Sequence, residues 1–222
     1  MEPPNTWELY CNIFNSMINT AFIVHVCCEK KDDVEITISK IKNFYPNSPV
    51  FIIYDGVQRH FHLGTIEKEM CRVKIPGNFG EFTHRYLNVF LDETNCDYVI
   101  KIDPDTKVWK KILNLPDPTL PITFCRMSSD GIPHGGAIGY TRPMAKLLVN
   151  SGCFIDSQLL KIHQNHAQQD SMYKEIIGLK KLHVQVRRDF GWIGKENDST
   201  VFSHSGHFGE YSPDLNVPYN KL

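Results

Sequence analysis

The chain has 222 residues, with 24 Lys and Arg against 25 Asp and Glu, and 41% hydrophobic residues. A chain of this size and balance buries a sizeable core, and without a basic surplus it is not a general nucleic-acid binder. No run nears the roughly 18 apolar residues that span a bilayer, and "MEPPNTWELYCNIF" has prolines and acids where a secretory signal carries a basic start and an apolar block.

Residues 6–19 are expected to form a short N-terminal helix. "AFIVHVCC" (21–28) is an apolar, β-branched run and predicts a buried strand. In "KKDDVEITISKIKNFYP", Asp32 or Asp33 can cap a helix whose Val34, Ile38, Ile41 and Tyr45 recur at helical spacing, and Pro46 ends it. "PVFIIYDG" (49–56) is a second apolar strand closing on an Asp-Gly turn signal. This β-α-β order predicts a parallel pair with a right-handed crossover. A short strand around 70–75 follows, then a Gly-rich loop opening a helix over about 80–93, with Phe82, Leu87, Phe90 and Leu91 inward. The next strand lies in "CDYVIKIDPD".

Beyond Asp105 the pattern turns irregular. "KKILNLPDPTLPITFCRM" is punctuated by proline, and "SSDGIPHGGAIGYTRPMAKLLVNSG" predicts a Gly-rich turn before a short strand and a helix over 143–151. A helix near 167–178 carries "QQDSMYKEII", "KKLHVQVRRDF" reads as an edge strand with a basic end, and "STVFSHSGHFGEYSPDLNVPYNKL" as mostly loop. No internal repeat or linker divides the chain, so one α/β domain is expected. The seven cysteines form no C-x-x-C pair and several sit in apolar runs, which predicts reduced, mostly buried thiols and a reducing cytoplasm.

"YVIKIDPDTKV" (98–108) runs a buried strand into two aspartates, Asp103 and Asp105, with only Pro104 between them. Carboxylates at such a strand end repel each other and resist desolvation, so something positive should offset them. Both can meet one ligand only if the chain turns there, because alternate strand residues face opposite ways. Pro104, with fixed φ and no amide hydrogen, suits that departure. Hard oxygen ligands suit Mn²⁺ or Mg²⁺, with phosphate oxygens and water completing the shell. Open α/β sheets bind ligands at the carboxyl ends of their strands, where this pair lies.

An apolar strand ending in D-x-D, preceded by a helix and by a strand ending in Asp, resembles the nucleotide-sugar-dependent glycosyltransferases of the GT-A fold. The resemblance spans about residues 20–208. It implies a GT-A-like single domain: a mixed, mainly parallel sheet flanked by helices, with a nucleotide-binding half over about 20–108 and an acceptor half over about 109–208. "VFIIYDG" is similar to the segment whose aspartate reaches the nucleoside, which implies that role for Asp55. "GEFTHRYLNVFLDETN" resembles the helix leading into the D-x-D strand, and nominates Arg85 and Asn88 on the donor side. "HGGAIGYTR" resembles the G-G-A-G-Y segment of Fringe-like β-1,3-glycosyltransferases beside donor sugar and acceptor, which nominates Gly135 and Gly136. "QQDSMY" and "FSHS" fall where those enzymes keep a catalytic aspartate and a metal-binding histidine, implying Asp170 and His204.

The chemistry of such a set is coherent. Transfer from a nucleoside diphosphate sugar, UDP-linked by expectation, leaves a diphosphate with growing negative charge. A divalent cation held by Asp103, Asp105 and His204 would stabilise it; His207 is the alternative ligand, or meets phosphate. An imidazole ligand favours Mn²⁺ over Mg²⁺. Asp170, at a helix start, would be kept ionised and take the proton from an acceptor hydroxyl on a glycan or protein-glycan, giving inversion in a single displacement. Retention is compatible with the same fold. The expected setting is a soluble cytoplasmic enzyme of bacterial or viral type.

Two rivals belong beside this reading. "IDPDTKV" also resembles the D-x-D-x-T signature of haloacid-dehalogenase-type phosphatases, but no later G-D-x-x-x-D follows: Asp117, Asp130, Asp156, Asp170 and Asp189 are scattered. A catalytically inactive nucleotide-sugar binder would keep the metal ligands without a base. Neither a P-loop nor a G-x-S-x-G motif occurs.

Overall fold

Strands buried on both faces must be apolar at every position, and the first, second and fourth strands of this chain are nearly so. The computed structural model describes residues 19–26, 31–54, 68–71, 79–104, 106–112, 122–127, 133–156, 169–182, 184–186 and 202–204. In chain order its elements are β1 (Thr20–Val26), α1 (Lys31–Phe44), β2 (Val50–Tyr54), β3 (Lys68–Cys71), α2 (Phe79–Glu93), β4 (Tyr98–Ile102), β5 (Thr106–Val108), β6 (Ile122–Met127), β7 (Pro133–Thr141), α3 (Arg142–Asn150), α4 (Gln169–Lys180), β8 (Val184–Val186) and β9 (Phe202–His204).

A seven-stranded sheet has the order β3-β2-β1-β4-β7-β6-β8, and β5 with β9 makes a separate two-stranded ribbon. β3, β2, β1 and β4 are mutually parallel. β7 alone runs against its neighbours β4 and β6, and β8 rejoins the common direction beside β6. The sheet is therefore mixed and mainly parallel with helices on both faces, the α/β class expected. The predicted parallel pairing of the first two strands is present, from Phe22↔Val50 to Val26↔Tyr54.

Strand parity sorts the core into two layers. Phe22, Val24, Val50, Ile52, Ile100 and Ile102 pack against Val34, Ile38, Ile41 of α1 and against Tyr45. Ala21, Ile23, Phe51, Ile53, Val99 and Ile138 face the other way, onto Phe82, Tyr86, Leu87 and Phe90 of α2, Ala145 and Leu148 of α3, and Met172, Tyr173 and Ile176 of α4. Of the residues predicted to line the inner side of the second helix, Phe82, Leu87 and Phe90 are fully buried.

One expectation is corrected. The glycines of "HGGAIGYT" lie inside the nine-residue strand β7, not in a turn before a short strand. Gly139 is small for packing: a Cβ there would lie 1.8 Å from Tyr98 Oη. The proline-punctuated stretch ends in β6, and the tail contributes β9, because strand pairing with distant partners supplied what local pattern did not. β8 is an edge strand, as predicted. The expected N-terminal helix over 6–19 lies almost wholly outside the described residues.

The junction of β7 and α3 is fastened to the end of α2. Thr141 caps α3 by accepting from the Met144 amide at 3.3 Å. Arg142 donates from Nε to the Cys96 carbonyl at 2.6 Å and from Nη1 and Nη2 to the Leu91, Phe90 and Thr94 carbonyls. A cation there meets the unsatisfied carbonyls and the negative end of the α2 dipole.

Candidate functional site

β4 delivers Asp103 to the carboxyl end of the sheet, and the chain turns there. The Thr106 amide donates to the Asp103 carbonyl at 2.9 Å, closing a turn with Pro104 second in it. Three anchors hold this turn. The Asp103 amide donates to the Gly136 carbonyl at 3.0 Å. Thr106 Oγ1 donates to the same carbonyl at 2.9 Å. From α1, Thr37 Oγ1 donates to the Pro104 carbonyl at 2.6 Å. The departure that the D-x-D reading requires is thus built, and Gly136 of β7 is one of its supports. β5 then pairs antiparallel with β9, setting Thr106 opposite His204. Main-chain pairing alone brings the tail histidine beside the D-x-D turn from 98 residues away in the chain.

The Asp103 carboxylate has a partner that sequence reasoning passed over. Lys101 Nζ lies 2.5 Å from Asp103 Oδ1, with Lys101 1% and Asp103 25% exposed. His25 Nδ1 stands 3.6 Å from the same oxygen. Asp103 follows the end of β4, two residues after Lys101, so both side chains rise from one sheet face, and His25 comes from the neighbouring strand β1. The His25 ring stacks on Phe82 of α2 at 4.1 Å. Burial by itself would raise the Asp103 pKa; the Lys101 ammonium and the His25 bond more than reverse that and hold it well below the usual carboxylate range. The positive charge that two strand-end acids demand is supplied, for Asp103, by the protein.

On the same face lies a buried ring of phenols. Tyr86 Oη is 2.6 Å from Tyr140 Oη and 2.8 Å from Tyr173 Oη, and Tyr140 and Tyr173 close the triangle. Three hydroxyls in a closed ring can each donate once and accept once, so none is left unsatisfied. Burial raises the pKa of all three, most for Tyr86 and Tyr140. Tyr173 also feels the Lys101 charge. These tyrosines come from "THRYLN", "GGAIGYT" and "QQDSMY", the three segments singled out on the sequence for donor and acceptor roles. The fold brings those segments together through their tyrosines.

The remaining nominees divide. Arg85 is half-buried on α2. Asn88 turns its Nδ2 to the His84 carbonyl at 3.0 Å, one turn back on its own helix. Gly135 and Gly136 are in β7, Gly136 opposite Asp103. Asp170 is the second residue of α4, one turn before Tyr173. α4 reaches β8 through residues 181–183, so it runs back along the sheet and its first turn lies at the carboxyl end, with Asp103. Asp55, Asp105 and His207 lie outside the described residues, though β2 ends at Tyr54, immediately before Asp55 and beside Val26 of β1.

Among the described residues no group of three or more His, Cys, Asp or Glu is placed to hold a metal ion. The donor chemistry nevertheless fits a divalent cation. Asp103 is held ionised, the form a ligand must take, and β9 sets His204 opposite Thr106. Lys101 and His25 both engage Oδ1, so Asp103 fits as a one-sided ligand. Cys96 and Cys153 are buried and form no disulfide. Among the described residues no helix is long and apolar enough to cross a membrane. A scan of protein-family models finds no match to this chain, and a search of curated proteins finds none either.

Proposed function

We propose that the chain is a metal-dependent glycosyltransferase of GT-A-like fold, moving a sugar from a nucleoside diphosphate donor, UDP-linked, to a hydroxyl of a glycan or protein-glycan acceptor. One observation carries this reading: the Asp103–Thr106 turn at the carboxyl end of β4, braced by Gly136 and paired through β5 with His204. Ligands of open α/β sheets sit at that end. The mixed, mainly parallel sheet with helices on both faces supports the same reading.

Asp103, Asp105 and His204 are the residues that would hold Mn²⁺ or Mg²⁺, which when bound supplies Lewis-acid stabilisation to the departing diphosphate. Asp55, following β2, contacts the nucleoside. Arg85 and His207 meet donor phosphate. Gly135 and Gly136 leave the β7 backbone without a side chain, so the donor sugar can approach it closely. Asp170 takes the proton from the acceptor hydroxyl while oxygen attacks the anomeric carbon from the face opposite the leaving group. The product configuration is inverted.

Thermal shift against a panel of nucleotide sugars, with and without Mn²⁺, tests the reading. Stabilisation by one donor only in the presence of metal is expected, and a flat panel overturns it. In a transfer assay Asp170→Asn should lower kcat roughly 10²–10⁴-fold while donor binding persists. Metal-dependent donor binding with no turnover in the wild-type chain would favour a binder. Phosphate release from monoesters without donor preference would favour a phosphatase.

A further inference from the structure

Lys101 is a lysine in the middle of a core strand, flanked by Ile23 on β1 and Ile138 on β7, and 1% exposed. Its ammonium cannot reach bulk water. It rises instead to Asp103 Oδ1 at 2.5 Å, and Asp103 keeps 25% of its side chain exposed. A buried ammonium parted from a carboxylate 2.5 Å away loses its closest counter-charge in a poor dielectric, so this pair resists opening to release Asp103. The negative charge of Asp103 is committed to the fold before any ligand arrives.

We propose that Lys101 is a positioning residue that makes metal binding depend on the nucleotide. Its charge is set against the Asp103 carboxylate at 2.5 Å, so that pair is close to neutral, and its ammonium repels an incoming dication at short range. A divalent cation alone therefore binds weakly. A nucleoside diphosphate brings the missing negative charge, so metal and nucleotide bind with positive coupling, each tightening the other by the same factor. The inference rests on the reading of Asp103, Asp105 and His204 as the cation site.

The test uses Mn²⁺ alone, titrated by electron paramagnetic resonance into the full chain, with and without UDP, for wild type, Lys101→Met and Lys101→Arg. Wild type should bind Mn²⁺ weakly, with UDP tightening it roughly tenfold or more. Lys101→Met removes the charge at nearly constant volume and should bind Mn²⁺ alone about tenfold tighter or more, with a smaller gain from UDP. Lys101→Arg keeps the charge and should behave as wild type. A Lys101→Met chain that binds Mn²⁺ alone no tighter than wild type overturns the proposal. Should Lys101→Met not fold, the wild-type coupling decides: equal Mn²⁺ affinity with and without UDP overturns it. Mn²⁺ binding by neither protein sinks this inference and the metal site together. If Mn²⁺ responds to Lys101 as expected but no nucleotide sugar is turned over, the transferase reading fails and the assignment of Lys101 as counter-charge stands.

Discussion

Asp103 has a duty toward the fold and a proposed one toward a ligand, and the two separate in the right mutants. Asp103→Ala takes from the buried Lys101 ammonium its carboxylate at 2.5 Å and should destabilise the chain by about 3–5 kcal/mol, measured by urea denaturation. Asp103→Ala with Lys101→Met removes both charges and should recover most of that loss, so a double-mutant cycle reads the pair directly. Loss of activity in Asp103→Ala alone is then no proof of a ligand role. The pH dependence has a fixed sign. The folded-state pKa of Asp103 lies below its unfolded value, so its stabilisation is complete above the ordinary carboxylate value of about 4 and is lost as pH falls toward the lowered value. Acid unfolding of the double mutant should accordingly be less steep. Gly139 makes a separate prediction. A methyl there meets the Tyr98 ring at its hydroxyl end, so Gly139→Ala should cost about 1–3 kcal/mol of stability by overpacking.

At the scale of elements, two polar knots join pieces distant in the chain. The tyrosine ring ties α2, β7 and α4. Tyr173→Phe breaks the cycle and leaves the buried hydroxyls of Tyr86 and Tyr140 each short of one partner, for an expected cost of about 1–3 kcal/mol. Because the folded pKa values of these phenols are raised, the stability they contribute is whole below the ordinary tyrosine value of about 10 and is lost as pH climbs above it. Alkaline unfolding followed by tyrosinate absorbance should show release in one cooperative step with the fold. Arg142 is the second knot. Its guanidinium serves four carbonyls between Phe90 and Cys96, so Arg142→Met should cost about 2–3 kcal/mol and fray the end of α2. Lysine should not restore it, since one ammonium cannot span that fan of acceptors.

Across the whole molecule, the parallel strands place the ends of β1, β2 and β4 side by side, and the D-x-D turn, the start of α2 and the start of α4 gather there. A ligand that bridges these pieces stabilises them jointly. Donor and Mn²⁺ at about a hundredfold over Kd should add about 2.7 kcal/mol, read as a rise of about 2–4 °C in Tm for each kcal/mol. An unchanged melting curve under those conditions contradicts a site at this end of the sheet.

How much was legible beforehand follows from what is local. Continuous apolar runs specified β1, β2 and β4, helical spacing specified α1 and α2, and the acids after "YVIKI" marked the turn, because each of these signals lies within a few consecutive residues. β6, β7 and β9 are not legible locally, since glycine and proline signal turns there and only pairing with a distant strand overrides them. Lys101 and His25 were passed over for a related reason: inside an apolar run each looks like a tolerated exception. Alternation along β1 and β4 puts both on the Asp103 side, but only the register of β1 against β4 brings His25 next to that carboxylate. The amino-acid order alone determined that two acids sit at the end of a buried strand. Tertiary structure decided which cation balances the first of them, because the partner of a charge is chosen by distance in space and by the expense of leaving it alone in the core.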